Sequence, residues 1–283
     1  MEVFPTTEEL AQTAKNGDKI VLISEAVQNL PKKEYYPMGY KCFDEVIMGG
    51  LGGGDLVVIS APSGQGKTTF AQSISYYLNK SCFPCLWFSY EVDVQSLYNK
   101  FIEMGIDKHL LAYVPLKNTS GSIDWIETKI KEAYGKYQTK FIFIDHLGFL
   151  LPSISKYDQS VSQNYSVYLG QICRQIKQIA VKYDLIVFLI AHTTKVRDDK
   201  DVSLNDIGHS AGIIQEADLV FILERIRNKI KADDVFSNVT LVKLEKNRRT
   251  GKTPKVKMVL VNNLFTIYDD TSEPRPKFSS MLD

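Results

Sequence analysis

Val57-Val58-Ile59-Ser60-Ala61-Pro62-Ser63-Gly64-Gln65-Gly66-Lys67-Thr68-Thr69-Phe70 reads as a buried strand, a glycine-bearing loop, and a helix that opens on Lys-Thr-Thr. A phosphate-binding P-loop needs that context. The backbone N–H groups of Ser63, Gly64, Gln65, Gly66, Lys67, Thr68 and Thr69 would line an anion cradle, and the helix N-terminus adds its positive end. Lys67 is expected to reach the β- and γ-phosphates of ATP or another nucleoside triphosphate, and the Thr68 hydroxyl to hold Mg²⁺. The first glycine of the GxxxxGK[ST] pattern is replaced by Ala61.

Working outward, the same alternation of apolar strand and helix continues. Strands are expected at Leu56 to Ser60, Cys85 to Tyr90, Ala112 to Leu116, Phe141 to Ile144, Leu185 to Ala191 and Ala217 to Glu224. Helices are expected at Thr68 to Leu78, Val94 to Met104, Ser122 to Tyr137 and Tyr165 to Tyr183. Ile123, Ile126, Ile130, Ala133 and Tyr137 recur at helical spacing, as do Tyr168, Ile172, Ile176 and Ile179. The segments Asn238 to Lys246 and Lys255 to Tyr268 read as hairpins. Fully apolar strands separated by helices predict an α/β fold with a mostly parallel central sheet covered on both faces, followed by C-terminal β-hairpins. Before Gly39 there is one short helical stretch, Thr7 to Lys15, and a loop rich in Pro, Lys and Tyr. The expected organisation is an N-terminal arm over 1–37, an ATPase domain over 38–270 and a flexible tail over 271–283.

Composition sets few further bounds. The apolar fraction of 44% suits an ordinary globular core. No run approaches the ~20 apolar residues that a membrane span needs, so no membrane partner is expected. The start MEVFPTTEEL lacks a basic and apolar leader, which predicts a cytoplasmic protein. The formal net charge of +1 means that binding to nucleic acid must come from a local patch. Cys82-Phe83-Pro84-Cys85 has the spacing of a redox pair or half a zinc site. No second pair completes it among the four cysteines, so these read as reduced structural residues.

Phosphoryl transfer also requires a metal-linked carboxylate and a group that handles water. Asp145 ends the apolar strand Phe141-Ile142-Phe143-Ile144, where open α/β sheets place their ligands. It is expected to bind Mg²⁺ through water, against the blander reading of a loop aspartate. Glu91, after Trp87-Phe88-Ser89-Tyr90, is the expected catalytic carboxylate, the competing reading being a helix cap before Val92-Asp93. His192 closes Leu185 to Ala191 and is placed to contact the γ-phosphate and report its loss, or is structural. Lys243 to Gly251 is a basic cluster with three readings: a solvated turn, a phosphate-contacting patch, or an arginine finger for ATP held on an adjacent subunit.

Together these segments resemble the RecA-like motor domain of DnaB-family replicative helicases, including the ring helicases of phages. The resemblance spans about Tyr36 to Tyr268. It rests on Gly39-Tyr40 through Gly50-Leu51-Gly52-Gly53-Gly54-Asp55-Leu56, on APSGQGKTTF (61–70), FSYE (88–91), FIFIDHL (141–147), IAH (190–192), SAGIIQEAD (210–218) and KNRRTG (246–251). Members of that family often lack the first P-loop glycine and carry Pro-Ser inside the loop, so Ala61-Pro62-Ser63 fits the pattern.

The resemblance implies a role for each position. Lys67 and Thr68 match the nucleotide-binding pair, Glu91 the catalytic glutamate and Asp145 the metal-linked aspartate. His192 matches the sensor position, where many members carry glutamine. Gln215 matches a glutamine that couples nucleotide state to DNA contact. Lys246 and Arg248 match a Lys-x-Arg pair that enters the neighbour's ATP site, which leaves Arg249 without a role. DNA-contacting loops would lie near Pro152 to Ser162 and Lys195 to Ser210, with Lys156, Lys195, Arg197 and Lys200 neutralising phosphates. Asp198, Asp199 and Asp201 sit among those cations, and the family's Asp-Leu-Arg run reads Asp206-Ile207-Gly208. The implied partners are single-stranded DNA, a homo-oligomer in a hexameric ring, and a primase or loader protein. Two rival functions share many of these motifs: a RecA-, RadA- or KaiC-like ATPase that assembles without unwinding, and an ATPase whose partner is another protein.

Overall fold

Strand β3 (Leu56–Ala61) is buried along its whole length and forms the middle strand of a nine-stranded sheet. The structure, a computed structural model, describes residues 20–29, 32–106, 110–117, 121–150, 160–193, 203–206, 211–228 and 235–268. The chain divides after Glu34 into two units. In the first, the described element is helix α1 (Ile23–Asn29). The expected helix over Thr7 to Lys15 and the tail from Thr271 lie outside the described residues.

The second unit begins with strand β1 (Tyr35–Tyr36), paired antiparallel with β2 (Leu51–Gly52) around the short helix α2 (Lys41–Asp44). Then follow β3, helix α3 (Lys67–Lys80), β4 (Cys85–Ser89), α4 (Val94–Glu103), β5 (Ala112–Tyr113), α5 (Ile123–Tyr137), β6 (Phe141–Asp145), α6 (Ser160–Lys182), β7 (Ile186–His192) and α7 (Ala211–Glu216). Strands β8 (Leu219–Asn228), β9 (Val235–Asn247), β10 (Lys255–Val261) and β11 (Leu264–Ile267) close the chain. The sheet order is β11-β10-β9-β8-β3-β7-β6-β4-β5. From β8 to β5 all neighbours run parallel, and from β8 to β11 all run antiparallel. The expected mostly parallel sheet with terminal hairpins is therefore the observed one.

Alternate residues of each parallel strand enter two separate cores, as the pleat of a doubly covered strand requires. Val57, Ile59, Trp87, Phe143 and Phe188 face one core with Phe70 and Ile74 of α3 and Phe101 of α4. Val58, Phe88, Ile142, Ile144 and Leu189 face the other with Ile126 and Ile130 of α5 and Ile172 and Ile176 of α6. Within the first core Trp87, Phe143 and Phe188 occupy facing register positions on three adjacent strands. Their rings stack, with centroids 4.5 Å and 4.4 Å apart.

Three expectations are corrected. The fifth strand covers Ala112–Tyr113 alone instead of reaching Leu116, and Leu116 stands exposed. Helix α6 begins at Ser160, five residues before the expected Tyr165. On that helix Tyr168 faces solvent at 44% exposure and Leu169 takes the buried position, so the apolar stripe runs Leu169, Ile172, Cys173, Ile176. A cysteine inside the stripe hides this shift from the pattern. The four cysteines are unpaired thiols, as expected. Burial pushes the Cys85 thiol up to about 12.

Candidate nucleotide site

The carboxyl ends of β3, β7, β6 and β4 stand side by side, and each delivers one expected residue. Ala61 pairs with His192 across β3 and β7, and Ser89 pairs with Asp145 across β4 and β6. Two further main-chain bonds extend these ladders past the strand ends: Thr193 N–H donates to the Ala61 carbonyl at 3.3 Å, and Tyr90 N–H to the Asp145 carbonyl at 2.7 Å. Register alone thus places His192 beside the P-loop and Glu91 beside Asp145. This is the position at which open α/β sheets bind ligands.

The loop from Pro62 to Gly66 leads directly into α3, and Gly66 takes the N-cap position at φ +89°. A β-carbon there would be strained by that backbone angle and would also stand 3.1 Å from the Phe265 ring. Lys67 Nζ is buried against the loop, donating to the carbonyls of Ala61 at 3.0 Å and Pro62 at 3.1 Å. Burial pushes its pKa below the usual lysine value, an effect that Glu91 and Asp145 oppose. Gln65 turns its side chain away, its Oε1 accepting from the Arg225 N–H at 2.6 Å. That bond pins the loop to β8.

Thr68 and Asp145, the expected metal pair, are in contact: the Thr68 hydroxyl donates to Asp145 Oδ2 at 2.7 Å. Asp145 is fully buried, and its Oδ1 has no hydrogen-bond partner among the described residues. Burial raises the carboxyl to about 6 despite the Thr68 bond. A buried carboxylate oxygen left without a donor, next to a threonine hydroxyl, is the donor set that a hydrated Mg²⁺ takes. The residues therefore fit that ion.

Glu91, half-exposed on the bend after β4, has its Oε2 3.7 Å from His192 Nε2 and 3.4 Å from His146 Nδ1. The two imidazoles meet edge to face with centroids 4.3 Å apart. Burial lowers the pKa of both; for His146 the neighbouring His192 adds to the effect, and for His192 Lys67 does. Sequence reasoning does not single out His146 as a site residue. It follows Asp145 directly, and Gly148 leaves the space its ring occupies, since a β-carbon there would lie 2.8 Å from His146 Nε2. Only this packing distinguishes it from a loop histidine.

Lys246 and Arg248 lie elsewhere. Asn247 pairs with Leu219, and Leu219 with Val57, so the basic pair sits at the amino end of β3. Four further residues of strand, about 13 Å, separate that level from Ala61. Lys246 Nζ donates to the Ile214 carbonyl at 2.5 Å, and Arg248 donates to the Gln215 carbonyl at 2.6 Å and to Asp218 at 3.1 Å. Asp218 in turn accepts from the Leu56 N–H at 2.8 Å. Neither cation reaches the P-loop of its own chain.

The family model for the DnaB-like helicase C terminal domain matches residues 111–269. The chain belongs to the DnaB-like helicase C-terminal domain family. Residues 61–70, which carry the P-loop, precede the matched segment, whereas the likeness in fold extends over nearly the whole chain. A DnaB-like replicative helicase, solved for its interactions with primase, superposes with a TM-score of 0.71 at 18% identity, over 93% of this chain and 71% of that one. A second solved structure, an isolated ATPase domain, gives 0.69 at 18% identity, over 94% of this chain and all of that one. In sequence, the replicative DNA helicase DnaB of Rickettsia bellii is 23% identical over 78% of this chain and 49% of its own length. The chain thus spans about half the length of the curated relatives it matches.

Among the residues assigned through the DnaB resemblance, Lys67, Thr68, Glu91, Asp145 and His192 converge on one end of the sheet. Gln215, Lys246 and Arg248 gather at the other, where both cations bond to the Gln215 carbonyl. Lys156, Lys195, Arg197 and Lys200 lie outside the described residues. Arg249, left without a role, is a structural tie. It donates to the carbonyls of Ile47 and Gly50, pairs with Asp55 and lies over the Tyr35 ring. No helix among the described residues is long and apolar enough to cross a membrane.

Proposed function

We propose that this chain is the motor of a DnaB-family replicative helicase. It hydrolyses ATP or another nucleoside triphosphate at sites shared between subunits of a hexameric ring, moves along single-stranded DNA and separates the duplex ahead of it. The observation that carries the reading is the split of the functional residues between two ends of one sheet. A complete phosphate-binding half stands at the carboxyl end, while the cations that would complete it stand at the amino end. A head-to-tail ring brings opposite faces of neighbouring subunits together, which a lone chain cannot do.

In that reading the P-loop amides from Ser63 to Thr69 bind the phosphates, and Lys67 exchanges the carbonyls of Ala61 and Pro62 for phosphate oxygens. Thr68 and Asp145 hold Mg²⁺, which supplies neutralisation of charge on the phosphates. Glu91 accepts the proton of the attacking water. His192, at the edge of β7, donates to the γ-phosphate and registers its departure. Lys246 and Arg248 of the next subunit stabilise the charge of the transition state, a contribution of about 10³–10⁵ in rate where measured in other NTPases. Gln215, whose carbonyl holds both cations, links that finger to the DNA-contacting side, and Lys156, Lys195, Arg197 and Lys200 are the expected phosphate contacts. A primase or loader protein is the expected further partner.

A forked DNA substrate with one labelled strand tests the function. Strand release that requires nucleotide hydrolysis and one particular single-stranded tail supports the helicase. DNA binding without strand release assigns the chain to the filament-forming class. Absence of any stimulation by single-stranded DNA assigns it to the ATPases that act on protein.

A further inference from the structure

We propose that Glu91, His146 and His192 form a binding site for a first-row transition-metal ion of the Zn²⁺ or Co²⁺ class, separate from the Mg²⁺ position, whose occupancy halts nucleotide hydrolysis. One ligand atom from each of the three residues lies within 4.8 Å of the other two. The two measured separations from the Glu91 carboxylate, 3.4 Å and 3.7 Å, approach the ligand spacing of a tetrahedral ion. With metal–ligand bonds of about 2.0–2.1 Å that spacing is roughly 3.3 Å. The remaining closure is small, and Glu91 can supply it, since it stands half-exposed on a bend while both histidines follow buried strands.

A second observation points to an absent ligand. Nδ1 of His146 is buried, faces Glu91 and makes no hydrogen bond among the described residues. A buried ring nitrogen normally finds a partner, because leaving it without one costs about 1–3 kcal/mol. Metal ligation would satisfy it. Two imidazoles and one carboxylate select Zn²⁺ or Co²⁺ over Mg²⁺, which prefers oxygen ligands and keeps its water. The three side chains leave the fourth tetrahedral position for water or a phosphate oxygen. An ion held there occupies the Glu91 oxygen that would otherwise receive the proton of water. This last step rests on the proposed role of Glu91; the binding itself does not.

The test begins with Co²⁺ added to the full chain without nucleotide. One equivalent is expected to bind with visible d–d absorption, and His146→Ala and His192→Ala are each expected to weaken binding about tenfold or more. The other two histidines, His109 and His209, serve as controls, and their alanine variants should bind as the parent does. Melting curves without metal check folding, and His146→Gln replaces the alanine variant if that one is unfolded. The site is overturned if no saturable equivalent binds, if loss of His146 leaves the affinity unchanged, or if thiolate absorption assigns the ion to cysteine. Added Zn²⁺ is then expected to stop hydrolysis of Mg·ATP at one equivalent per site. Undiminished hydrolysis with the site filled overturns the inhibitory step and, with it, Glu91 as the base, while the metal site stands.

Discussion

At the scale of single residues, Arg248 and Arg249 are neighbours in sequence with opposite engagements. Arg248 is half-exposed, and its guanidinium is shared between Asp218 and a carbonyl. Arg249 is nearly enclosed, with side-chain exposure of 12%, and faces Asp55 at 6%. Removing one partner of a buried ion pair leaves an uncompensated charge. Arg249→Ala should therefore lower stability by about 3 kcal/mol in urea unfolding, the typical cost of orphaning a buried charge. A loss below about 0.5 kcal/mol, the range of ordinary surface substitutions, would show that Asp55 is satisfied by the Gly52 N–H alone. Sequence cannot distinguish the two arginines, because the partners of Arg249 come from residues 47–55, far away along the chain. Lys67, Thr68 and Asp145 are legible for the opposite reason: phosphate chemistry prescribes their local contexts, a strand before the loop and a strand before the acid. His146 has no such context. Its place beside Glu91 depends on the packing of the turn after β6.

At the scale of elements, the parallel strands are readable because strands buried on both faces are apolar without interruption. What escapes the sequence is any element made by pairing alone. Strands β1 and β2 contain two residues each, and β5 survives as two residues on β4. Helix α6 is legible, but its buried stripe is offset by one position at Leu169, since tyrosine and leucine carry nearly equal weight in a helical pattern. The aromatic row Trp87-Phe143-Phe188 shows how three such strands become one rigid platform. Phe143 is fully buried and stacks on both neighbours. Its replacement by alanine opens a cavity and breaks two aromatic contacts at once. Phe143→Ala should cost about 3–5 kcal/mol in equilibrium unfolding. A cost of only about 1 kcal/mol would mean that the flanking rings close the gap, and that the row does not hold the strand ends bearing Asp145 and His192 in register.

At the scale of the whole molecule, the sheet has two chemically distinct ends. One carries anion-binding amides, a buried lysine and a set of carboxylate and imidazole groups around the P-loop. The other carries Lys246 and Arg248, held by carbonyls of α7 and by Asp218. Asp218 also accepts from Lys177 at 2.5 Å and from the first amide of the P-loop strand, so the cations are tied through one carboxylate to β3 itself. Membership of the DnaB-like helicase C-terminal domain family gives this arrangement its setting, and the register gives it its physical content: the two halves of the proposed site cannot meet inside one chain. The direct test mixes two inactive chains, Lys67→Ala, which lacks the phosphate lysine, and Arg248→Ala, which lacks the finger. Hydrolysis of ATP by the mixture should rise well above the sum of the two alone, because some interfaces then pair an intact P-loop with an intact arginine. If the mixture gives only the sum, or if Arg248→Ala hydrolyses ATP at the parental rate as a monomer, the site is complete within one subunit and the account is wrong.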